Sequence, residues 1–187
     1  QTRQMKETAE AATSVDGMRR IADRRRTQYT GQRRGLVILV NFTDKKMSIT
    51  NPQDAFSSVM NDEDYKEYGQ YGSVHDYFYD QSYGMFDFKF DVVGPVTLSN
   101  KMSYYGANDS RGDDVRPGEM AYEAAKLVDD QVNFKDYDWD GDGQVENFFI
   151  VYAGYGEAHG ADKNTIWQHA WDIYSATGKT LYLDGAL

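Results

Sequence analysis

Polar and apolar positions along the chain fall into segments of different period. After a polar opening punctuated by arginines, Leu36 to Val40 form an unbroken apolar run within RRGLVILVNF. A run with no polar residue to turn toward water predicts a central strand covered on both faces. Next, Asn51 precedes Pro52, and Ala55, Phe56, Val59 and Met60 recur along one helical face. With Asn51 as N-cap and Pro52 as first helical residue, a helix is expected after the strand. In SVHDYFYDQSYG, Ser73 and Asp76 stand at capping-box spacing, Val74, Tyr77 and Phe78 share a side, and Gly84 offers a stop. That pattern predicts a second, short helix.

The period then drops to two. In MFDFKFDVVGPVTL, Phe86, Phe88, Phe90 and Val92 alternate with Asp87, Lys89 and Asp91, which predicts a half-exposed strand near a sheet edge. Helical spacing returns through Met120, Ala121, Ala124, Leu127 and Val128,. Phe148 to Ala153 form another continuous apolar run, expected to be buried like the first,. Two buried strands with helices between them predict an α/β layer of mixed strand directions. From GYGEAHG onward, glycine and scattered polar residues imply loops around one aromatic segment, IWQHAWDIY.

Composition narrows the class. A chain of 187 residues that is 40% hydrophobic is long enough for one domain with a sizeable core,. Its net charge of -10 is unevenly spread: residues 1–34 hold nine basic against four acidic side chains, so the remainder carries -15. An acidic body argues against nucleic acid as a partner, since phosphate binding relies on lysine and arginine. No apolar run is long enough to span a membrane, and a signal peptide is absent from the opening residues,. Without cysteine there is neither a disulfide framework nor a thiolate metal site,. Residues 1–34 read as a basic leader or prosegment remnant whose arginine clusters suit proteolytic processing, ahead of a body spanning residues 35–187.

The densest chemistry lies in DYDWDGDGQVENFFIVYAG. Four aspartates at alternate positions, Asp136 to Asp142, sit directly before the second apolar run. So many carboxylates repel one another unless a cation sits among them. Asp138, Asp140 and Asp142 alternate toward one point, Gly143 permits a sharp turn, and the Gln144 carbonyl is placed as a further oxygen ligand. An all-oxygen set favours calcium over zinc. The glutamate that closes an EF-hand would fall at Phe149, so Glu146 must close the shell in a shortened loop that feeds a strand,. Asp136 is a candidate for an outer contact.

The histidines carry less. Glu157, His159 and His169 have the spacing E-x-H-x9-H, which matches neither H-E-x-x-H nor a helical pair, and they read as loop residues with ordinary hydrogen bonds,. His75, at the start of a short helix beside Asp76, reads as solvated. No nucleophile elbow and no phosphate-binding loop occurs,.

GLVILVNFTD, SVHDYFYDQSYGMFDFKFDVVGPVTL, YYGAND, DYDWDGDGQVENFFIVYAGYGEAHG and IWQHAW follow one another in an order and spacing that resemble the immune inhibitor A-type family of secreted zinc metallopeptidases. The resemblance runs from residue 35 to about residue 172. It implies a zincin-like (metzincin-type) fold, of which this chain would be the upper subdomain, with a twisted mixed β-sheet and packed helices. It also implies calcium ligands at Asp138, Asp140, Asp142, Gln144 and Glu146, protein or peptide substrates, and an extracellular or cell-surface location. Catalytic zinc in that family is held by a helix bearing H-E-x-x-H, and no such motif occurs in these 187 residues. The resemblance therefore places zinc in the full-length domain only, carries over no catalytic residue, and implies that this part alone cleaves nothing. A non-catalytic calcium-binding surface or adhesion module is the alternative.

Overall fold

In a computed structural model that describes residues 30–186, three strands form one open sheet in the order β2-β1-β3: β1 (Gly31–Asn41), β2 (Phe86–Thr97) and β3 (Phe148–Tyr152). Both neighbours of β1 run parallel to it, with Leu36 opposite Asp91 on one side and Phe148 on the other. The directions are therefore not mixed among the described residues, which corrects the expected mixed sheet. The reason is connectivity: helices link β1 to β2 and β2 to β3, and such crossovers return the chain in its starting direction.

β1 is the centre of the molecule. Leu36 to Val40 have no exposed surface, as their unbroken apolar run predicts. Alternation divides them between two cores: Leu36, Ile38 and Val40 enter one, and Val37 and Leu39 the other,. On the second face, α1 (Pro52–Asn61) and α2 (Val74–Gln81) bring Phe56, Met60, Val74 and Phe78 against Phe86, Phe88 and Phe90 of β2. On the first face lie α3 (Met102–Gly106) and α4 (Pro117–Leu127), through Met102, Tyr105, Met120, Ala124 and Ala125. A last short helix, α5 (Ile173–Thr177), packs beside α4, where Gly118 leaves room for Ala176.

Local signals mostly act as expected. Ser73 and Asp76 form both halves of the capping box of α2. Asn51 precedes α1, with Pro52 inside its first turn, but it makes no capping hydrogen bond from its side chain. β2 buries its phenylalanine face and keeps Asp87, Lys89 and Asp91 partly exposed at the sheet edge. β3 departs from expectation. It is the opposite edge, its residues are only partly buried, and Phe149 is 41% exposed. With β1 on one side alone, its apolar run is not covered as that of β1 is.

Residues 1–29 of the expected leader lie outside the described residues, whereas Gly31 to Arg34 form the start of β1 and pair with Phe86 to Lys89.

Gly106, the last residue of α3, seats the segment around Thr165 and Ile166 on this helix. A Cβ there would run into the Thr165 carbonyl oxygen and lie 2.5 Å from Ile166 Cγ1. Because the obstacle includes backbone, Gly106→Ala is expected to destabilise the fold by about 1–3 kcal/mol, the usual cost of overpacking. Urea unfolding measures it, and an unchanged midpoint would contradict this seating.

Candidate metal centre

The loop that precedes β3 is anchored before its aspartates begin. A 3-10 turn, Phe134–Tyr137, buries both of its aromatic ends. The Tyr137 hydroxyl donates to Asp91 Oδ2 at 3.0 Å. Arg34, from β1, donates through Nε to the same Asp91 oxygen at 2.9 Å and through Nη1 to Asp136 Oδ2 at 2.7 Å. Its carbonyl also accepts the Trp139 indole N–H at 2.8 Å, while the Trp139 ring packs edge-on against Phe86 and Phe88. One arginine thus ties β1, β2 and the loop together. Asp136, the candidate outer contact, is held by Arg34 and by Asn133, whose Nδ2 donates to it at 3.1 Å.

The next residues wrap their own backbone around carboxylates. Asp138 accepts the amides of Gly141, Asp142 and Gly143, at 2.8, 3.1 and 2.9 Å. Asp140 accepts the Asp142 amide at 3.1 Å, and Asp142 accepts the amide and the side-chain nitrogen of Gln144 at 2.9 and 3.2 Å. Gly143 sits at φ 86°, a conformation that side-chain-bearing residues rarely adopt, so the turn expected there is present,. Glu146 returns toward the loop and accepts the Trp139 amide at 2.6 Å.

Asp138, Asp140 and Glu146 each place a carboxylate oxygen within 4.8 Å of the other two. Among the described residues this is the place where three acidic or histidine side chains bring ligand atoms within 4.8 Å of one another. Burial pushes the Glu146 carboxyl above its ordinary range, and the charges of Asp140 and Asp138 push the same way, against the hydrogen bond from Trp139. Three carboxylates in such proximity favour anything that brings positive charge. The donor chemistry is all oxygen, and it fits a hard divalent cation better than zinc.

The histidines are dispersed. His159 Nδ1 lies 3.2 Å from the Gln168 side-chain nitrogen and His169 Nε2 lies 2.7 Å from Asp114 Oδ2, so both make the ordinary hydrogen bonds expected of them. His75 is a correction: it is buried rather than solvated, with Nε2 2.9 Å from Asp87 Oδ1 and its ring stacked on Tyr79. The capping box turns its helical position inward onto β2, which the adjacent Asp76 did not reveal. The role of Arg34 also escaped the sequence, since its clustering with Arg33 suggested a solvated leader; its partner Asp136 is 102 positions away.

No family model matches the sequence. The chain is similar to Immune inhibitor A of Bacillus thuringiensis subsp. alesti, 26% identical over an alignment of 173 positions, with 74% of this chain and 25% of that protein covered. That likeness supports a distant relationship, and the match spans about a quarter of the relative's length.

The anchor can be probed through pH. Burial, followed by the Asp91 charge and hydrogen bond, raises the Tyr137 phenol well above its ordinary value of 10.0. A phenol that ionises less readily folded than unfolded contributes stability below about pH 10 and loses it as pH climbs further. Tyr137→Phe is expected to cost about 1.5–3 kcal/mol at pH 7, from the lost hydrogen bond to a charged partner. It should also make the loss of stability above pH 10 shallower. Parallel slopes for the two proteins in denaturant titrations from pH 8 to 11 would contradict the buried, raised Tyr137 phenol.

Proposed function

We propose that these residues are part of the zincin-like catalytic domain of a secreted zinc metalloendopeptidase that hydrolyses peptide bonds in proteins outside the cell. The observation that carries the peptidase reading is the likeness to Immune inhibitor A, spread over 74% of the chain. An α/β sheet with helices on both faces is compatible with it. Among the described residues no helix is long and apolar enough to cross a membrane. Since H-E-x-x-H is absent from these 187 residues, the zinc-binding helix of the proposed enzyme belongs to another part of its chain,. That helix would supply two histidine ligands and a glutamate that activates the zinc-bound water.

The part described here takes calcium. Asp138, Asp140 and Glu146 supply carboxylate oxygens, joined by Asp142 and the carbonyl of Gln144. The close approach of the first three supports this reading. Calcium accepts six to eight oxygens in flexible geometry, which suits a shortened loop closed at its ninth position. The ion would offset the burial and the repulsion that raise the Glu146 carboxyl, and fix the entry to β3, which begins two residues later. Its task is structural: it holds the edge of the sheet on which the rest of the domain is built.

Two outcomes are expected. Binding to the folded state alone stabilises it by about 2.7 kcal/mol when calcium is at a hundred times its dissociation constant. The melting temperature should therefore rise from EDTA to excess calcium, and Asp140→Ala should remove most of that rise; equal midpoints in the two buffers would end the calcium reading. For catalysis, a longer chain that includes an H-E-x-x-H helix should cleave casein, and lose the activity when that helix's glutamate becomes glutamine. The 187-residue chain should take up no stoichiometric zinc. A reading frame with no such helix would turn the assignment toward a calcium-binding surface module.

A further inference from the structure

At the opposite end of β3, three buried acceptor oxygens have no hydrogen-bond donor: Asn108 Oδ1, Asp114 Oδ1 and Glu157 Oε2. They belong to one neighbourhood. Asn108 and Asp114 face each other across an antiparallel bridge. Asn108 Nδ2 donates to Glu157 Oε1 at 3.0 Å. The Glu157 amide donates to the Ile166 carbonyl, and the next amide, that of Trp167, donates to Asp114 Oδ2 at 2.9 Å. His169 Nε2 reaches the same Asp114 oxygen at 2.7 Å, and the Asp114 side chain is wholly shielded from solvent, at 0% exposure.

The pattern of satisfied and unsatisfied atoms is selective. Each carboxylate has one oxygen fixed by protein donors and its other oxygen left over. Asn108 has committed its amide nitrogen to Glu157 and is left with its carbonyl. All three remaining atoms are acceptors, and two belong to carboxylates. Buried polar groups in native proteins find partners, and an apparent orphan points to a bound water or ion. One water brings two hydrogens to three acceptors and no charge to two carboxylates. A divalent cation bound in this neighbourhood would bring positive charge to both carboxylates and a partner for oxygens that protein donors leave free,. The donors surrounding the set, from Trp167, His169 and Asn108 itself, are what hold metal-binding carboxylates in orientation.

We propose that Asn108, Asp114 and Glu157 form a second calcium site, separate from the aspartate loop. The donor set contains only oxygen, two carboxylates and an amide carbonyl, which suits calcium and disfavours transition metals. Its place also suits a ligand, because open α/β sheets bind ligands beyond the carboxyl ends of their strands, and Glu157 follows β3 by five residues,. The ion joins two segments distant in sequence, the loop of Asn108 and Asp114 and the 3-10 turn Glu157–His159, and the strip from Ile166 to His169 is hydrogen-bonded to both.

Calorimetric titration of the metal-stripped 187-residue chain with calcium chloride tests this. The wild type should take up two equivalents, Asp140→Ala one, and Glu157→Gln one. The Asp140→Ala result separates this site from the loop: one remaining equivalent supports it whatever happens at the loop, and none overturns it. Melting supplies a sign. Glu157→Gln keeps the shape but removes a charge, so it should melt below the wild type in calcium and at or above it in EDTA. A shift of the same sign and size in both buffers would overturn the proposal. Should Glu157→Gln fail to fold, the stoichiometry of Asp140→Ala against wild type decides alone.

Discussion

Everything in this fold is arranged around a strand with no solvent side. Leu36 to Val40 are shielded completely, and their alternation sends side chains into two cores at once. Burying each such side chain contributes about 1.5–3 kcal/mol, but only if both faces of the sheet are roofed. That requirement dictates the rest. The helices after β1 cover one face and those after β2 the other, so the three strands run parallel. Loops then collect at the strand ends, which is where the carboxylate chemistry lies.

Arg34 converts this arrangement into a site. Placed at the amino-terminal side of the buried run, it reaches Asp91 on β2 and Asp136 ahead of the loop, and its carbonyl holds Trp139. The aspartate loop is thereby fixed against the sheet before it turns. Glu146 must then stand near Asp138 and Asp140 in a partly buried position where its charge is penalised. A calcium ion would turn that penalty into cohesion. The second candidate site follows the same logic at the other end of β3, with protein donors orienting carboxylates whose remaining oxygens lack a partner.

What could be read from sequence was what depends on near neighbours. The run from Leu36 to Val40, the alternation of Phe86, Phe88 and Phe90, the Ser73–Asp76 capping box and the turn at Gly143 are local patterns, and all are present. Long-range pairing was not legible. The run at Phe148 resembles β1 in composition, yet its neighbours make it an exposed edge. His75 is buried because β2 returns past its helix with Asp87. Arg34 looked like part of a solvated basic leader, although its partners lie 57 and 102 residues away. Asp114 stood out in no motif, and only the fold carries it to Trp167 and His169.

The most direct measurement is a crystal structure grown in calcium, with anomalous differences collected at long wavelength. A peak is expected among Asp138, Asp140 and Glu146, with oxygen ligands at about 2.3–2.6 Å that include Asp142 and the Gln144 carbonyl. A well-ordered loop in saturating calcium with no anomalous peak among these carboxylates would contradict it.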